Sequence, residues 1–273
     1  MRNERIDFSG AQLDLTNIVN QVKFLALDDS PKEKIIVILG ATATGKSSLA
    51  VKLAEIFDTE IISADSMSVY KNFDVGTAKP SEIELAKVPH HLIDILEPDE
   101  KFSVAEFVRQ VTPIITALNC AGKIPIIAGG TGLYIQALIE GYKFNEVGTK
   151  SHESFFASTG ELKYNALVFG LTMPREILYK RINERTEKMF AAGLVDEVKK
   201  LLSQGVNPNS QAMLGIGYRQ IVEYLQGELT LEESISKVKQ MTRNFAKRQL
   251  TWYRRMQYIQ WLEVEEKSRR MGG

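Results

Sequence analysis

The sequence predicts an α/β fold: a parallel sheet with helices on its faces, continued by a helical C-terminal part. Three observations predict it. Short apolar runs rich in β-branched residues read as strands buried on both faces. Stretches with helical spacing alternate with them, as doubly wound folds require. From Pro174 onward the pattern is almost unbroken helix.

Taken in order, residues 1–33 show no sustained period and end in DDSPKEK, so an N-terminal appendage or linker is expected there. Lys34 to Leu39 (KIIVIL) reads as the first buried strand. Gly45 to Phe57 reads as a helix, with Leu49, Ala50, Leu53, Ala54 and Phe57 on one face, and Glu60 to Ala64 as the second strand. Further strands are predicted at His91 to Leu96, Ile124 to Ala128 and Ala166 to Leu171, with a helix from Ser103 to Ala121. Lys143 to Lys163 is polar and lacks a period. The C-terminal helices break at Gly193, at Gly205 to Pro208 and at Gly227, and a last strand is predicted at Tyr258 to Leu262. Residues 34–273 are expected to form one catalytic domain.

Composition narrows the class. The 273 residues are 44% hydrophobic and 25% charged, an ordinary globular balance. No apolar run approaches the roughly 20 residues that span a bilayer, and MRNERIDFSG lacks the apolar stretch of a secretory signal, so no membrane contact and a cytoplasmic protein are expected. Cys120 is the single cysteine, which excludes an internal disulfide or a multi-thiolate zinc site, and its apolar setting predicts a packed side chain.

With 34 basic and 34 acidic residues the net charge is +0, so any nucleic-acid surface must be a local patch. One candidate lies between Lys237 and Arg255, where seven residues are basic and none is acidic. Lys239, Arg243 and Lys247 recur every four residues and form one helical stripe that suits a phosphate backbone. An amphipathic surface helix packing through Val238, Met241, Phe245, Leu250 and Trp252 is the structural alternative.

Gly40-Ala41-Thr42-Ala43-Thr44-Gly45-Lys46-Ser47 is a complete G-x-x-x-x-G-K-[ST] motif between a predicted strand and a predicted helix. Glycines let the backbone wrap an anion, Lys46 adds charge, and Ser47 can ligate Mg²⁺. The sheet is therefore of the P-loop NTPase-like kind. Asp65 ends the second strand, at the edge where clefts form in open α/β sheets. Gly129-Gly130-Thr131-Gly132 makes a tight turn from a strand into a helix beside the same cleft. Adjacent histidines on a strand face opposite ways, so His90 and His91 are read as structural.

These segments resemble the tRNA dimethylallyltransferases. GATATGKS, IISADSMSVYKNFDVGTAKP, VPHHLIDI, IAGGTGLYIQALIEG, LYKRINERTEKMFAAGLVDEVKKL, LGIGYRQIVEYLQGELTLEESI and RNFAKRQLTWYRR follow in the family's order, from Ile35 to Arg255. The resemblance implies transfer of a dimethylallyl group from dimethylallyl diphosphate to the exocyclic amine of the adenosine 3′-adjacent to the anticodon. The P-loop then holds a leaving group, and Asp65 resembles the family's general base. Lys46, Ser47 with Mg²⁺, Arg181 and Arg185 are implied to neutralise departing diphosphate. Thr131 is implied to contact the target nucleotide, while Asp65, Ser66, Met67 and Ser68 line a pocket for a flipped base. The chain departs from the family at Ser68, where glutamine is usual, and at Lys143 to Lys163, which stands where family members carry a helical insertion. A monomer is expected. The competing readings are a P-loop nucleotide or small-metabolite kinase, an adenylate isopentenyltransferase, and a non-catalytic RNA-binding NTPase.

Overall fold

The computed structural model describes residues 5–8, 11–144 and 150–266. Strands β1 (Arg5–Phe8) and β2 (Ala11–Asp14) form an antiparallel hairpin, and helix α1 (Leu15–Leu27) follows directly. The Asp14 carboxylate caps α1 by accepting from the Thr16 amide at 2.9 Å. Leu15, Ile18, Val22 and Leu25 of α1 are buried, at 3-4-3 spacing. The expected appendage at residues 1–33 is thus corrected for this part: α1 is a core helix. Its period is blurred in the sequence by Phe24 and Leu27, which are exposed although apolar.

Next come β3 (Lys34–Gly40), α2 (Lys46–Phe57), β4 (Ile61–Ser63), α3 (Glu82–Lys87), β5 (His90–His91), α4 (Val104–Cys120), β6 (Ile126–Gly129) and α5 (Gly132–Ile139). A hairpin of β7 (Tyr142–Phe144) and β8 (Lys150–Ser154) leads through α6 (Phe155–Thr159) to β9 (Asn165–Thr172). The C-terminal part holds α7 (Arg175–Ala191), α8 (Leu194–Ser203), α9 (Tyr218–Leu225), α10 (Leu231–Tyr253), β10 (Gln260–Glu263) and β11 (Glu265–Glu266).

Six strands form one parallel sheet in the order β10-β9-β3-β6-β4-β5. The two-residue alternation of β3 sorts its side chains between two cores. Ile35, Val37 and Leu39 join residues of α4, α5, α8 and α9 on one face. Ile36 and Ile38 join residues of α1, α2 and α7 on the other. Helix α10 reaches both cores, through Tyr253 and Ala246 respectively. A small second sheet pairs β11 with β2, so the N-terminal hairpin and the last strand share hydrogen bonds.

Two expectations are corrected. The strand predicted at His91 to Leu96 stops after His91. The chain turns at Leu92 (φ 60°) and Asp94 (φ 55°), and the amides of Ile95 and Leu96 bond the Val69 carbonyl instead of a strand partner. Cys120 is exposed, because the buried stripe of α4 runs through Phe107, Val111, Ile115 and Leu118.

Candidate active site

The loops that follow β3, β4 and β6 meet at the carboxyl edge of the sheet. The first is the phosphate cradle. Gly40 lies so close to β9 that a Cβ would stand 2.7 Å from the Leu171 carbonyl oxygen. Ala43 and Gly45 take left-handed backbone (φ 65° and 100°), which bends the chain into the N-terminus of α2. Inside the loop, the Thr44 hydroxyl and the Lys46 ammonium each donate to the Ala41 carbonyl at 2.8 Å. Burial lowers the Lys46 pKa to about 8; Arg185 adds to this and Asp65 opposes it.

Helix α7 faces the cradle. Arg181 and Arg185, one turn apart, line a cavity of about 270 Å³ together with Gly45, Lys46 and Ser47. The Arg185 guanidinium also donates to the Thr77 carbonyl at 3.3 Å. Ser47 stands exposed at the rim. The arginines singled out from the sequence therefore do lie opposite the loop.

Asp65 follows β4, and its carboxylate accepts from the Met67 amide at 2.8 Å. Thr131 caps α5, and its hydroxyl accepts from the Ser66 amide at 3.1 Å. The two loops touch because Gly129 has no side chain: a Cβ there would sit 2.2 Å from the Ala64 carbonyl oxygen. Two cavities open from this junction. One, about 120 Å³, runs toward Lys46, Ser47 and Ser68. The other, about 360 Å³, is lined by Ser66, Met67 and Thr131 and by the apolar side chains of Met189, Ile216 and Phe245. Asp65 and Arg185 line both. Ser68 is buried and faces the smaller cavity, so it is separated from Ser66 and Met67, with which the sequence grouped it.

The basic stripe of α10 is rearranged by packing on α7. Lys239 donates to Glu187 at 2.5 Å, and Arg243 donates to Asn183 at 2.7 Å with its guanidinium 5.9 Å from the Tyr179 ring. Two of the three members of the stripe thus have partners on α7. Lys247, Arg254 and Arg255 are exposed, and Arg248 lines the larger cavity. The histidines hold structural partners, as expected: His90 bonds the Val88 carbonyl and His91 bonds Glu60, each at 2.7 Å.

Other contributors escaped the sequence reading. Gln249 bridges the Thr42 amide and the Gly130 carbonyl. The Glu197 carboxylate on α8 accepts from the amides of Asp74, Val75 and Gly76 and from the Tyr218 hydroxyl, which anchors the loop carrying Thr77. The loop packs this closely because Gly76 has no side chain: a Cβ there would stand 2.4 Å from the Tyr218 ring.

Comparison with known proteins decides the family. The "IPP transferase" family model matches residues 68–155 and 144–256, and the "Isopentenyl transferase" model matches residues 33–97. The tRNA dimethylallyltransferase of Pelotomaculum thermopropionicum is 40% identical over 291 aligned positions, which cover 87% of this chain and 93% of that one. The chain belongs to the tRNA dimethylallyltransferase family. The relative from Carboxydothermus hydrogenoformans is 41% identical, over 86% of this chain and 94% of its own. The full-length tRNA isopentenylpyrophosphate transferase of Bacillus halodurans superposes with a TM-score of 0.75 at 37% identity, covering 85% of this chain and 90% of that structure.

Family membership makes the hairpin informative. Since 87% of 273 residues is about 238, roughly 50 of the 291 aligned positions have no counterpart here. The IPP transferase match is itself split, its two parts meeting at residues 144–155. This member of the family thus has the β7–β8 hairpin at the place where the match divides.

Proposed function

We propose that this protein transfers the dimethylallyl group of dimethylallyl diphosphate to the exocyclic amine of the adenosine 3′-adjacent to the anticodon in tRNA. One observation carries the reading: Asp65 stands at the junction of a small cationic cavity and a larger, partly apolar one. The first suits diphosphate, held by the P-loop, Lys46 and Arg185, with Arg181 across the outer cavity. The second suits an isoprenoid chain and an extruded base beside Ser66, Met67 and Thr131. In the reaction the adenine amine attacks the allylic carbon, the carbon–oxygen bond to diphosphate breaks, and the amine proton passes to the Asp65 carboxylate. Lys46 and Arg185 balance the charge that grows on the leaving group.

Ser47 would hold Mg²⁺, which supplies further charge neutralisation to the diphosphate. No group of three or more His, Cys, Asp or Glu that could hold a metal is present among the described residues. The Ser47 hydroxyl suits an oxygen-preferring ion such as Mg²⁺, which would take further ligands from substrate oxygens and water. Exposed Lys247, Arg254 and Arg255 are assigned to the tRNA backbone, with Lys239 and Arg243 contributing at most after leaving α7. The reading takes the protein as a monomer; sedimentation at twice the 30.7 kDa chain mass would overturn that part. Among the described residues no helix is long and apolar enough to cross a membrane.

The test is incubation with labelled dimethylallyl diphosphate and unmodified tRNA. Label recovered in the adenosine beside the anticodon supports the reading. Label remaining wholly in diphosphate ester, with ADP released from ATP, would replace it with a kinase.

A further inference from the structure

We propose that Gln249 of α10 is a positioning residue that sets the Lys46 side of the cleft against the Thr131 side. The inference rests on the transfer reading above. Gln249 is 6% exposed, and its amide is used at both ends. Its Oε1 accepts from the Thr42 amide at 2.9 Å and its Nε2 donates to the Gly130 carbonyl at 2.8 Å.

Each bond pins a whole peptide plane, because the carbonyl and the following N–H are rigidly joined. The Thr42 amide shares its plane with the Ala41 carbonyl, which accepts from the Lys46 ammonium at 2.8 Å. The Gly130 carbonyl shares its plane with the Thr131 amide, which donates to the Ala64 carbonyl at 3.1 Å. One side chain therefore fixes the peptide that anchors Lys46 and the peptide that presents Thr131. Gly130 admits it only for want of a side chain, since a Cβ would lie 2.6 Å from Nε2. Tyr253, one turn along α10, donates to the same Gly130 carbonyl at 2.9 Å, so that oxygen keeps a partner when Gln249 is replaced. Removing its amide frees the two loops relative to each other; the Gly130 carbonyl keeps Tyr253 as a partner, while the half-buried Thr42 amide, which lines both cavities, loses its acceptor.

The test uses the full chain with Gln249→Met, Thr131→Val and both together, in single-turnover transfer to tRNA at saturating dimethylallyl diphosphate. We expect Gln249→Met to slow transfer about tenfold, with KM for each substrate within about threefold and the melting temperature within a few degrees of wild type. The double variant should be slower than the slower single variant by clearly less than the product of the two single effects, because part of the Gln249 effect passes through the peptide that presents the Thr131 side chain and the rest through Lys46. Wild-type rates for Gln249→Met, or effects that multiply in the double variant, would reduce Gln249 to packing and overturn the inference. If Gln249→Met does not fold, Gln249→Glu serves: it keeps the acceptor for Thr42 but sets a carboxylate against the Gly130 carbonyl, and the same rate loss and non-additivity are expected. A wild-type protein that transfers nothing would overturn the transfer reading first, so the two failures are distinguishable.

Discussion

Lys46 shows at one residue how function and stability oppose each other. Its pKa of about 8 lies below the 10.5 of the free side chain. Between these values the unfolded chain holds more protons than the folded one, so stability rises with pH across the window. As pH falls through about 8 the buried cation forms and that gain is lost. Lys46→Met is therefore expected to raise the melting temperature at pH 7, and the gain should shrink by pH 9.5. The same change should weaken dimethylallyl diphosphate binding about tenfold or more, through loss of a charge-assisted contact. Thermal melts at the two pH values and equilibrium binding check both halves. In wild type, affinity for the diphosphate should fall as pH rises through about 8. Asp65→Asn is expected to leave that affinity nearly intact and to lower turnover at least about a hundredfold, the cost of a lost general base; unchanged turnover would remove Asp65 from the mechanism. Lys46 was placed at the cradle by a short local motif and Asp65 at the cleft by its position at a strand end, whereas Arg185 was singled out only through the family resemblance. Gln249 was not legible, because the bond that gives it a role joins positions 207 apart.

Helices α7 and α10 make the same point for elements. The four-residue spacing of Lys239, Arg243 and Lys247 shows that they share a helix face, but it does not say whether that face meets water, RNA or another helix. In this structure the first two bond Glu187 and Asn183 on α7. Replacing Lys239 and Arg243 together by methionine is expected to cost stability, of the order of a few tenths to 1 kcal/mol for the partly exposed ion pair, and to leave the salt dependence of tRNA binding unchanged. Neutralising Lys247, Arg254 and Arg255 should instead flatten the plot of log affinity against log salt by about 0.7 to 0.9 per lost phosphate contact. Titrations at several salt concentrations distinguish the two sets. The strand elements β3, β6 and β9 were plain in the sequence because strands buried on both faces are apolar throughout. Beyond His91 the reading failed because Leu92 and Leu96 are apolar for packing under the 68–71 segment, which needs no strand.

For the whole molecule, the main revision is that helix α1 belongs to the core. Leu15, Ile18 and Val22 are almost fully buried, and burying each such side chain contributes about 1.5 to 3 kcal/mol. A chain lacking residues 1–27 should lose several kcal/mol, a large share of the 5 to 15 kcal/mol typical of a domain. We expect its melting temperature to fall by 10 °C or more, measured in parallel with the full chain; an unchanged melt would return α1 to the status of an appendage. The pairing of β2 with β11 has a consequence in time. Asp14 leaves the ribosome long before Glu265 is made, and at about 5 to 20 residues per second the interval is on the order of 10 to 50 s. During that interval the edge of β2 that pairs with β11 has no native strand to join, while the P-loop sheet can already be assembling. The small sheet can therefore close only once nearly the whole chain has been made, together with the pairing of β10 on β9.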